Sequence, residues 1–381
     1  MAISVMTITM MIFTACSKDG LTGRPANPGN PGPNNPGPNN PDPNNPGNHN
    51  PDSIYVIKVK AAITIGGILY DSIPASIQVT SWDSSNNAYQ RQINLAAGAN
   101  TLTLIKAHSR YRLKLSKWGI TDEMAFTKSE IQEGTTISLG GSKTAKKLRL
   151  EEGFLFAAGA YQRDNKTIYS YNANGTLRQI DYYQKKPQQS ELKRYHYDQF
   201  VYNGSTIDKI NRFDENGTNV GATEFTSNAQ GKIVNMHQHS YGNDTYASVD
   251  YRSEAGASSI IIDYLYNNGH AMEYKMKFKG GNKVEDQAMS STGGSEGGTY
   301  GYDYSINPFA HMNMPDIYLS NLSKNNMISQ QKGYSGSIPS GIPYKFDYTY
   351  DAEGYPTELT RYFKSYVTGQ DLYKTKTIYT Y

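Results

Sequence analysis

A Gly-Gly-Ser-Glu-Gly run at 293–297 fits the G-x-S-x-G pattern of serine hydrolases. In those enzymes a strand-to-helix turn exposes the serine and points backbone amides at an oxyanion. Here the run lies in a Ser/Gly-rich segment, and the residues that follow, Thr299-Tyr300-Gly301-Tyr302, predict a strand where the motif requires a helix. We therefore interpret Ser295 as part of a loop and not as a nucleophile.

Three other patterns could bind a metal ion or a phosphate, and each is incomplete. His237 and His239 would share one strand face, but a zinc site needs three or four ligands and no third is spaced nearby. The calcium-loop-like start at Asp214 has Phe225 where the twelfth-position carboxylate belongs. The Gly-Gly-Ser-Lys-Thr run at 140–144 lacks the first glycine of a P-loop. We predict no metal site and no cofactor.

Carboxylate pairs suited to acid–base catalysis are also missing from the sequence pattern. Glu151 and Glu152 are adjacent, so on a strand their side chains point to opposite faces. We therefore expect a protein that is not an enzyme. The alternative is a hydrolase of envelope glycan or peptide whose carboxylates are brought together only by the fold.

Tyrosine is the most distinctive residue type, with 32 copies, many of them two residues apart. On a strand, residues i and i+2 lie on one face, so such tyrosines form ladders across a sheet. Their rings either cover the sheet or, on a concave face, stack against a glycan or peptide ligand. The candidate ligand-stacking residues are Tyr195, Tyr197, Tyr264, Tyr266, Tyr300, Tyr302 and Tyr304.

Cys16 is the only cysteine, which excludes a disulfide framework and a cysteine-based metal site. It follows an uncharged apolar run, residues 1–15, too short to span a bilayer. Phe13-Thr14-Ala15-Cys16 resembles the signal of bacterial lipoproteins, and Ser17-Lys18-Asp19-Gly20 resembles the surface-export tag of Bacteroidota lipoproteins. These resemblances imply cleavage after residue 15, lipidation of Cys16 and display outside the outer membrane. The run lacks the usual basic residue, so we expect the start codon upstream of Met1.

The rest of the chain divides by composition. Residues 16–52 are rich in Pro, Asn and Gly, which predicts a disordered, extended stalk. With 37 Lys and Arg against 34 Asp and Glu, the net charge is only +3, which argues against a nucleic-acid partner. The 381 residues allow more than one domain, and 37% hydrophobic residues suffice for globular cores.

Residues 53–148 show short alternating strands separated by polar turns, such as Tyr55–Ala61 and Ser76–Trp82. This pattern predicts a small β-sandwich, similar to transthyretin-like or immunoglobulin-like modules. From residue 149 to 381 a loose repeat appears, made of an aromatic-rich strand, an Asn/Asp/Gly turn and a second strand. We expect hairpins with turn glycines at Gly175, Gly204, Gly231 and Gly354, joined into an antiparallel meander that is a curled open sheet or barrel-like.

This repeat resembles the tyrosine-aspartate repeats of RHS-type shells. With Tyr302–Phe309 and Leu322–Asn326 it more closely resembles a family of Bacteroidota lipoproteins of unknown function with a porin-like β fold. The resemblance implies an all-β fold and no catalytic residues. Pro308 should end a strand, and residues 315–319 should form one or two helical turns that cap the sheet.

The aromatic end of the chain, Thr375–Tyr381, is typical of outer-membrane strands, so a transmembrane barrel is an alternative to a barrel in water. The mean hydropathy is −0.65. A charge on a lipid-facing strand costs about 2–4 kcal/mol near the bilayer midplane, and many of these strands carry charges on both faces. The sequence therefore predicts a lipid-anchored, non-catalytic binding or scaffold module at the outer membrane, with a glycan or peptide as its ligand.

Overall fold

The computed structural model describes residues 53–186, 190–240, 242–312, 314, 323–334, 343–364 and 371–381. The expected signal peptide, Cys16, the stalk and the expected helical turns at 315–319 lie outside these residues. The described chain forms 24 β-strands with short 3-10 helices between some of them, so the predicted all-β fold class is confirmed. Among the residues described, no helix is long and apolar enough to cross a membrane.

The first eight strands form two four-stranded sheets. One sheet contains β1, β2, β5 and β8, with β8 parallel to β1 and the other pairs antiparallel. The other has the order β4-β3-β6-β7 and is antiparallel throughout. The strands are β1 Ile54–Ile65, β2 Ile68–Ile73, β3 Ala75–Trp82, β4 Ala88–Leu95, β5 Asn100–Ile105, β6 Arg110–Lys117, β7 Ile120–Thr127 and β8 Thr136–Lys143.

The two sheets share one apolar core. In β1 every second residue from Ile57 to Ile65 is buried, and in β6 Leu113 and Leu115 are fully buried. This alternation follows from the two-residue period of a strand that has one face against a partner sheet. The core therefore lies between the sheets, and the polar side chains of each strand face water.

The other sixteen strands close into one barrel. All neighbours along the chain pair antiparallel, and the last strand pairs with the first. Of the two predicted forms of this meander, a curled open sheet and a barrel, the structure has the barrel. Its strands are β9 Leu150–Ala157, β10 Ala160–Tyr171, β11 Leu177–Lys185, β12 Leu192–Asn203, β13 Thr206–Asp214, β14 Asn219–Ser227, β15 Ile233–Ser240, β16 Asn243–Glu254, β17 Ala257–Tyr266, β18 Ala271–Lys279, β19 Asn282–Ser290, β20 Ser295–Ile306, β21 Asn325–Tyr334, β22 Pro343–Tyr350, β23 Pro356–Lys364 and β24 Asp371–Thr380.

The predicted hairpin turns form where the repeat places them. Gly175, Gly204, Gly231 and Gly354 all have positive φ, between 62° and 84°, the left-handed region that only glycine enters without strain. All four lie at the end of the barrel that faces the sandwich. A Cβ on Gly354 would also stand 2.4 Å from Nε1 of Trp118, so this turn admits no side chain.

The barrel has an apolar interior toward the sandwich. Leu177, Ile207, Ile233, Ile260 and Phe278 each lie near the start or end of a strand at that end, and all are buried in one cluster. The cluster also contains Met312, with Phe309 packed against it; both come from the 3-10 helix Pro308–His311 and the residue after it. This helix follows β20 directly, as the proline there predicts, and it closes the interior on the sandwich side.

The sandwich is joined to the barrel by packing and by ion pairs. Ile306, the last residue of β20, and Tyr355, from the turn between β22 and β23, are fully buried in the core cluster of the sandwich. Around them, Lys146 Nζ lies 2.7 Å from Asp351 Oδ2 and 2.8 Å from Glu353 Oε1. Because apolar residues of the barrel complete the sandwich core, we expect the two parts to unfold together.

Candidate functional site

The inner wall of the barrel carries carboxylates that tyrosine hydroxyls hold in place. Glu151 accepts a hydrogen bond from Tyr169, and Asp303 accepts one from Tyr350. Asp303 also accepts bonds from two backbone amides, and burial raises its pKa. A buried carboxylate needs such donors, because it has lost its contact with water.

The most densely bonded of these groups is Asp286. Its Oδ2 accepts from Tyr274, from Tyr300 at 2.5 Å and from Lys283 Nζ at 2.9 Å. Burial would raise the pKa of Asp286, but Lys283 and the two hydroxyls outweigh it, so the pKa is lowered. Lys283 Nζ also lies 4.4 Å from the centre of the Tyr300 ring. All the partners of Asp286 belong to the barrel, so this cluster stabilises the barrel wall.

Glu151 has a different environment. Its side chain keeps intermediate exposure on the inner face of β9, and it makes no ion pair with any described residue. Burial raises its pKa to about 7, although the Tyr169 hydroxyl opposes that shift. Glu152, the next residue, points to the outer face and pairs with Arg163, as expected for adjacent residues on a strand.

The structure does not bring the seven predicted stacking tyrosines together. Tyr264 and Tyr266 are on the inner face, with their rings stacked 6.4 Å apart. Tyr300 bonds Asp286, and the Tyr302 hydroxyl accepts a 2.9 Å bond from Ser323. These four rings therefore lie inside the barrel and contact other residues of the inner wall.

The other three predicted tyrosines are separated from them and from one another. Tyr197 stacks on Phe213 at 4.8 Å, with the Arg194 guanidinium 4.5 Å from its ring. Tyr195 lies at a register shift between β11 and β12, so it does not share the face of Tyr197. Tyr304 is 52% exposed. The i, i+2 rule fails at Tyr195 because a bulge inserts one residue and reverses the alternation.

The outer face of β14–β18 presents a different surface, which the strand register builds from two adjacent lateral rows. We call this surface the outer strip. The first row is Glu224, His237, Tyr246, Leu265 and Ala271, and the second is Thr226, Asn235, Ser248 and Asp263. The first row is largely aromatic and apolar, and the second is a line of small polar side chains.

The outer strip forms a groove with a volume of about 590 Å³. At its centre the His237 and Tyr246 rings are stacked with centroids 4.4 Å apart and an interplanar angle of 2°. Tyr246 is 50% exposed and Leu265 51%. Asn235, Ser248 and Asp263 are exposed beside them. Large apolar surfaces left open to water commonly mark binding sites, and this one carries hydrogen-bonding groups along one side.

His237 and His239 do share one outer strand face, as the spacing predicts. Both contact the same atom, Asp244 Oδ1, at 2.9 and 3.0 Å. Across the part of the chain that the structure describes, no group of three or more His, Cys, Asp or Glu side chains could hold a metal ion. Asp244 instead fixes the His237 ring that stacks on Tyr246.

The remaining motifs adopt ordinary hairpin structure. Gly293 and Gly294 form a turn, and Ser295 is the first residue of β20, so no helix follows the serine. Asp214 Oδ1 accepts from the amides of Asn216 and Thr218 at 2.9 and 2.8 Å. Its carboxylate thus closes a turn, as Asp commonly does.

Sequence reasoning missed the outer strip because its members come from five strands. Tyr246 has no tyrosine two residues away, so it gave no ladder signal. The His237/His239 spacing points to a metal ligand and not to a ring that stacks on a neighbouring strand. The sequence does contain one signal in β16, where the apolar Ala247 and Val249 alternate with Tyr246, Ser248 and Asp250.

Comparisons with known proteins gave structural likenesses only. No protein-family model and no curated protein matches the sequence. A solved porin-like protein from Bacteroides uniformis superimposes with a TM-score of 0.45 at 15% identity, covering 62% of this chain and 98% of that one. A porin-like protein from Bacteroides vulgatus gives 0.38 at 13% identity, covering 60% and 97%. Likenesses this distant do not carry a function to this chain.

Proposed function

We propose that this protein is a non-catalytic saccharide-binding module, held at the outer membrane by lipid on Cys16 and facing the cell exterior. The outer strip is the observation that supports it. A sugar ring presents C–H groups on its faces and hydroxyls around its edge. The stacked Tyr246 and His237 rings and Leu265 offer a flat apolar surface for the face.

The second row supplies the matching polar groups. Asn235, Ser248 and Asp263 are exposed next to the apolar row and make no hydrogen bond to another described side chain. An amide, a hydroxyl and a carboxylate can together donate to and accept from sugar hydroxyls. A long groove across five strands suits an oligosaccharide better than a single sugar.

Charged side chains on the outer face of the barrel support the proposal that the barrel is surrounded by water and not by lipid. Outward-facing ion pairs occur on opposite parts of the wall, such as Lys209 with Glu224 at 2.8 Å and Lys376 with Glu358 at 3.3 Å. Each lysine would cost about 2–4 kcal/mol at the bilayer midplane, and each glutamate less. A lipid anchor at Cys16, with two acyl chains, would then be the membrane attachment.

The test is a glycan array probed with the Cys16→Ala chain, compared with the same chain carrying Tyr246→Ala. We expect binding to at least one envelope or host glycan class, lost with Tyr246→Ala. Tyr304→Ala is the matched control, because Tyr304 is equally exposed but lies off the outer strip. An array without any signal, or equal binding by the Tyr246 and Tyr304 variants, would refute the saccharide site.

The anchor is tested separately in the host. Cys16→Ala should move the protein from the membrane fraction to the soluble fraction, and protease added to intact cells should digest the unmodified protein. Unchanged fractionation of the variant would remove the lipid anchor, and protection from protease would place the protein inside the envelope.

A further inference from the structure

Glu151 is the inner carboxylate whose partners are least complete. One hydroxyl, that of Tyr169, donates to its Oε1. No described residue gives it an ion pair, in contrast with Asp286, which has Lys283, and Asp198, which has Arg212 at 2.8 Å. An ionised carboxylate that is partly removed from water and has no cation beside it is costly unless something else supplies positive charge.

The strand register places Glu151 in a lateral row along the inner wall. Tyr379 of β24 lies opposite it on one side and Thr167 of β10 on the other. Tyr182 of β11 follows next to Thr167. Thr167 is the smallest residue of this row, so its side chain leaves room between Glu151 and Tyr182, which stand two strand spacings or about 10 Å apart. We call this position the notch.

Aromatic rings surround this notch. Tyr169, Tyr182 and Tyr379 belong to or pack against the interior cluster of the barrel. The ring of Tyr182 is in turn stacked on His196, with centroids 4.2 Å apart. Glu151, Thr167, Tyr169 and Tyr182 all keep intermediate exposure although they face inward, so space remains beside them.

We propose that these residues, Glu151, Tyr169, Tyr182 and Tyr379, form an inner acid–aromatic site that binds a small organic cation of the alkylammonium class. The Glu151 carboxylate would contact the ammonium directly, and the tyrosine rings would face it with their negative π surfaces. An anion is excluded by the carboxylate, and a metal ion would lack further charged ligands. A neutral ligand would leave the buried charge uncompensated.

The groups facing Glu151 leave it as the titrating residue of the site. Four tyrosines would repel the Glu151 carboxylate if they ionised, and burial raises the pKa of each: Tyr169, Tyr171, Tyr379 and Tyr381. Burial also lowers the pKa of His196, at the far end of the row, to about 4. These groups are neutral near pH 7, so ammonium binding should follow the ionisation of Glu151.

The experiment is isothermal titration of the full chain with n-butylammonium and tetramethylammonium chloride, and with 1-butanol and neopentyl alcohol as neutral analogues. We expect the two cations to bind and the alcohols not to bind. Affinity should fall as pH is lowered from 8 to 6, because protonation removes the Glu151 charge. Glu151→Gln should weaken cation binding by at least about tenfold, the scale of one desolvated charge contact.

Glu152→Gln is the matched control, because that neighbouring carboxylate faces outward, and its cation affinity should be unchanged. Thr167→Leu fills the notch without touching the charge and should also abolish binding. Circular dichroism checks that each variant is folded. The proposal would be overturned if the unaltered chain did not bind the cations or if it bound the alcohols equally well. Full cation affinity in Glu151→Gln or in Thr167→Leu would also overturn it. So would loss of cation binding on Tyr246→Ala, which would place the cation on the outer strip.

Discussion

The sandwich and the barrel both enclose buried side chains, but the two interiors differ in composition. The sandwich core is apolar and filled, with side chains such as Val59, Ile63 and Leu113 fully buried. The barrel interior is apolar near the sandwich but also holds buried Asp198, Lys283 and Asp286. Sixteen strands enclose more space than side chains alone readily fill. The sandwich core is thus filled by apolar packing, whereas the barrel wall carries the polar and titratable groups from which both proposed sites are built.

The largest effect is expected from truncating a side chain in the core of the sandwich. Leu113→Ala should reduce the free energy of unfolding by about 2–5 kcal/mol, because it opens a cavity in a filled core. The barrel should lose stability with it, since Ile306 and Tyr355 pack in that core. Urea unfolding should be followed by tryptophan fluorescence, which reports the sandwich, and by circular dichroism, which reports mainly the barrel. Two separate transitions would show that the parts are independent.

The next largest effect should come from Glu151, which accepts one hydroxyl hydrogen bond and makes no ion pair with a described residue. The pKa of Glu151 is raised to about 7 in the folded protein, from an ordinary value near 4.3 when unfolded. Its ionisation therefore destabilises the folded state above pH 7, and the penalty shrinks as pH falls toward 4. Glu151→Gln should stabilise the protein by roughly 2–3 kcal/mol at pH 8, and the gain should vanish in acid.

Urea titrations at pH 8 and pH 5 measure this difference, with Glu152→Gln as the outward-facing reference. That residue pairs with a half-exposed Arg163, so its replacement should cost about 0–1 kcal/mol at either pH. If Glu151→Gln is no more stable than the unaltered protein at pH 8, the Glu151 carboxylate is stabilised inside the barrel as well as it is in water.

A smaller effect is expected at the junction of the two regions. Lys146→Met removes ion pairs to Asp351 and Glu353, all three partly exposed. Exposed pairs are worth about 0–1 kcal/mol each, so we expect a loss of about 1 kcal/mol in low salt. In about 1 M NaCl, where the Debye length is about 3 Å, the variant and the unaltered protein should unfold at closer urea concentrations. A loss that salt does not change would point to packing by the lysine stem.

The smallest change in stability should accompany the largest change in binding. Tyr246→Ala removes a half-exposed ring and should alter the free energy of unfolding by no more than about 0.5 kcal/mol. Its urea transition should therefore overlay that of the unaltered protein while saccharide binding is lost. Marked destabilisation would indicate that the stacked Tyr246 and His237 rings serve to hold β15 and β16 together.

Local features of the fold were predictable from the sequence. Turn glycines such as Gly175 and Gly231 are recognisable because a tight turn needs a positive φ between two alternating strands. The opposite orientation of Glu151 and Glu152 follows from the strand period alone. The register shift beside Tyr195 was not predictable, because a bulge depends on the partner strand as well as on its own residues.

The all-β class, the hairpin order and the strand after Ser295 depend on neighbouring residues, so they could be predicted from the amino-acid sequence. The pairing of β24 with β9, the position of Tyr246 beside His237 and Leu265, and that of Glu151 opposite Tyr379 could not. Each of these pairings joins residues from different strands, and their alignment is set by register and closure of the whole sheet. A site built across strands therefore exists only once the barrel is closed.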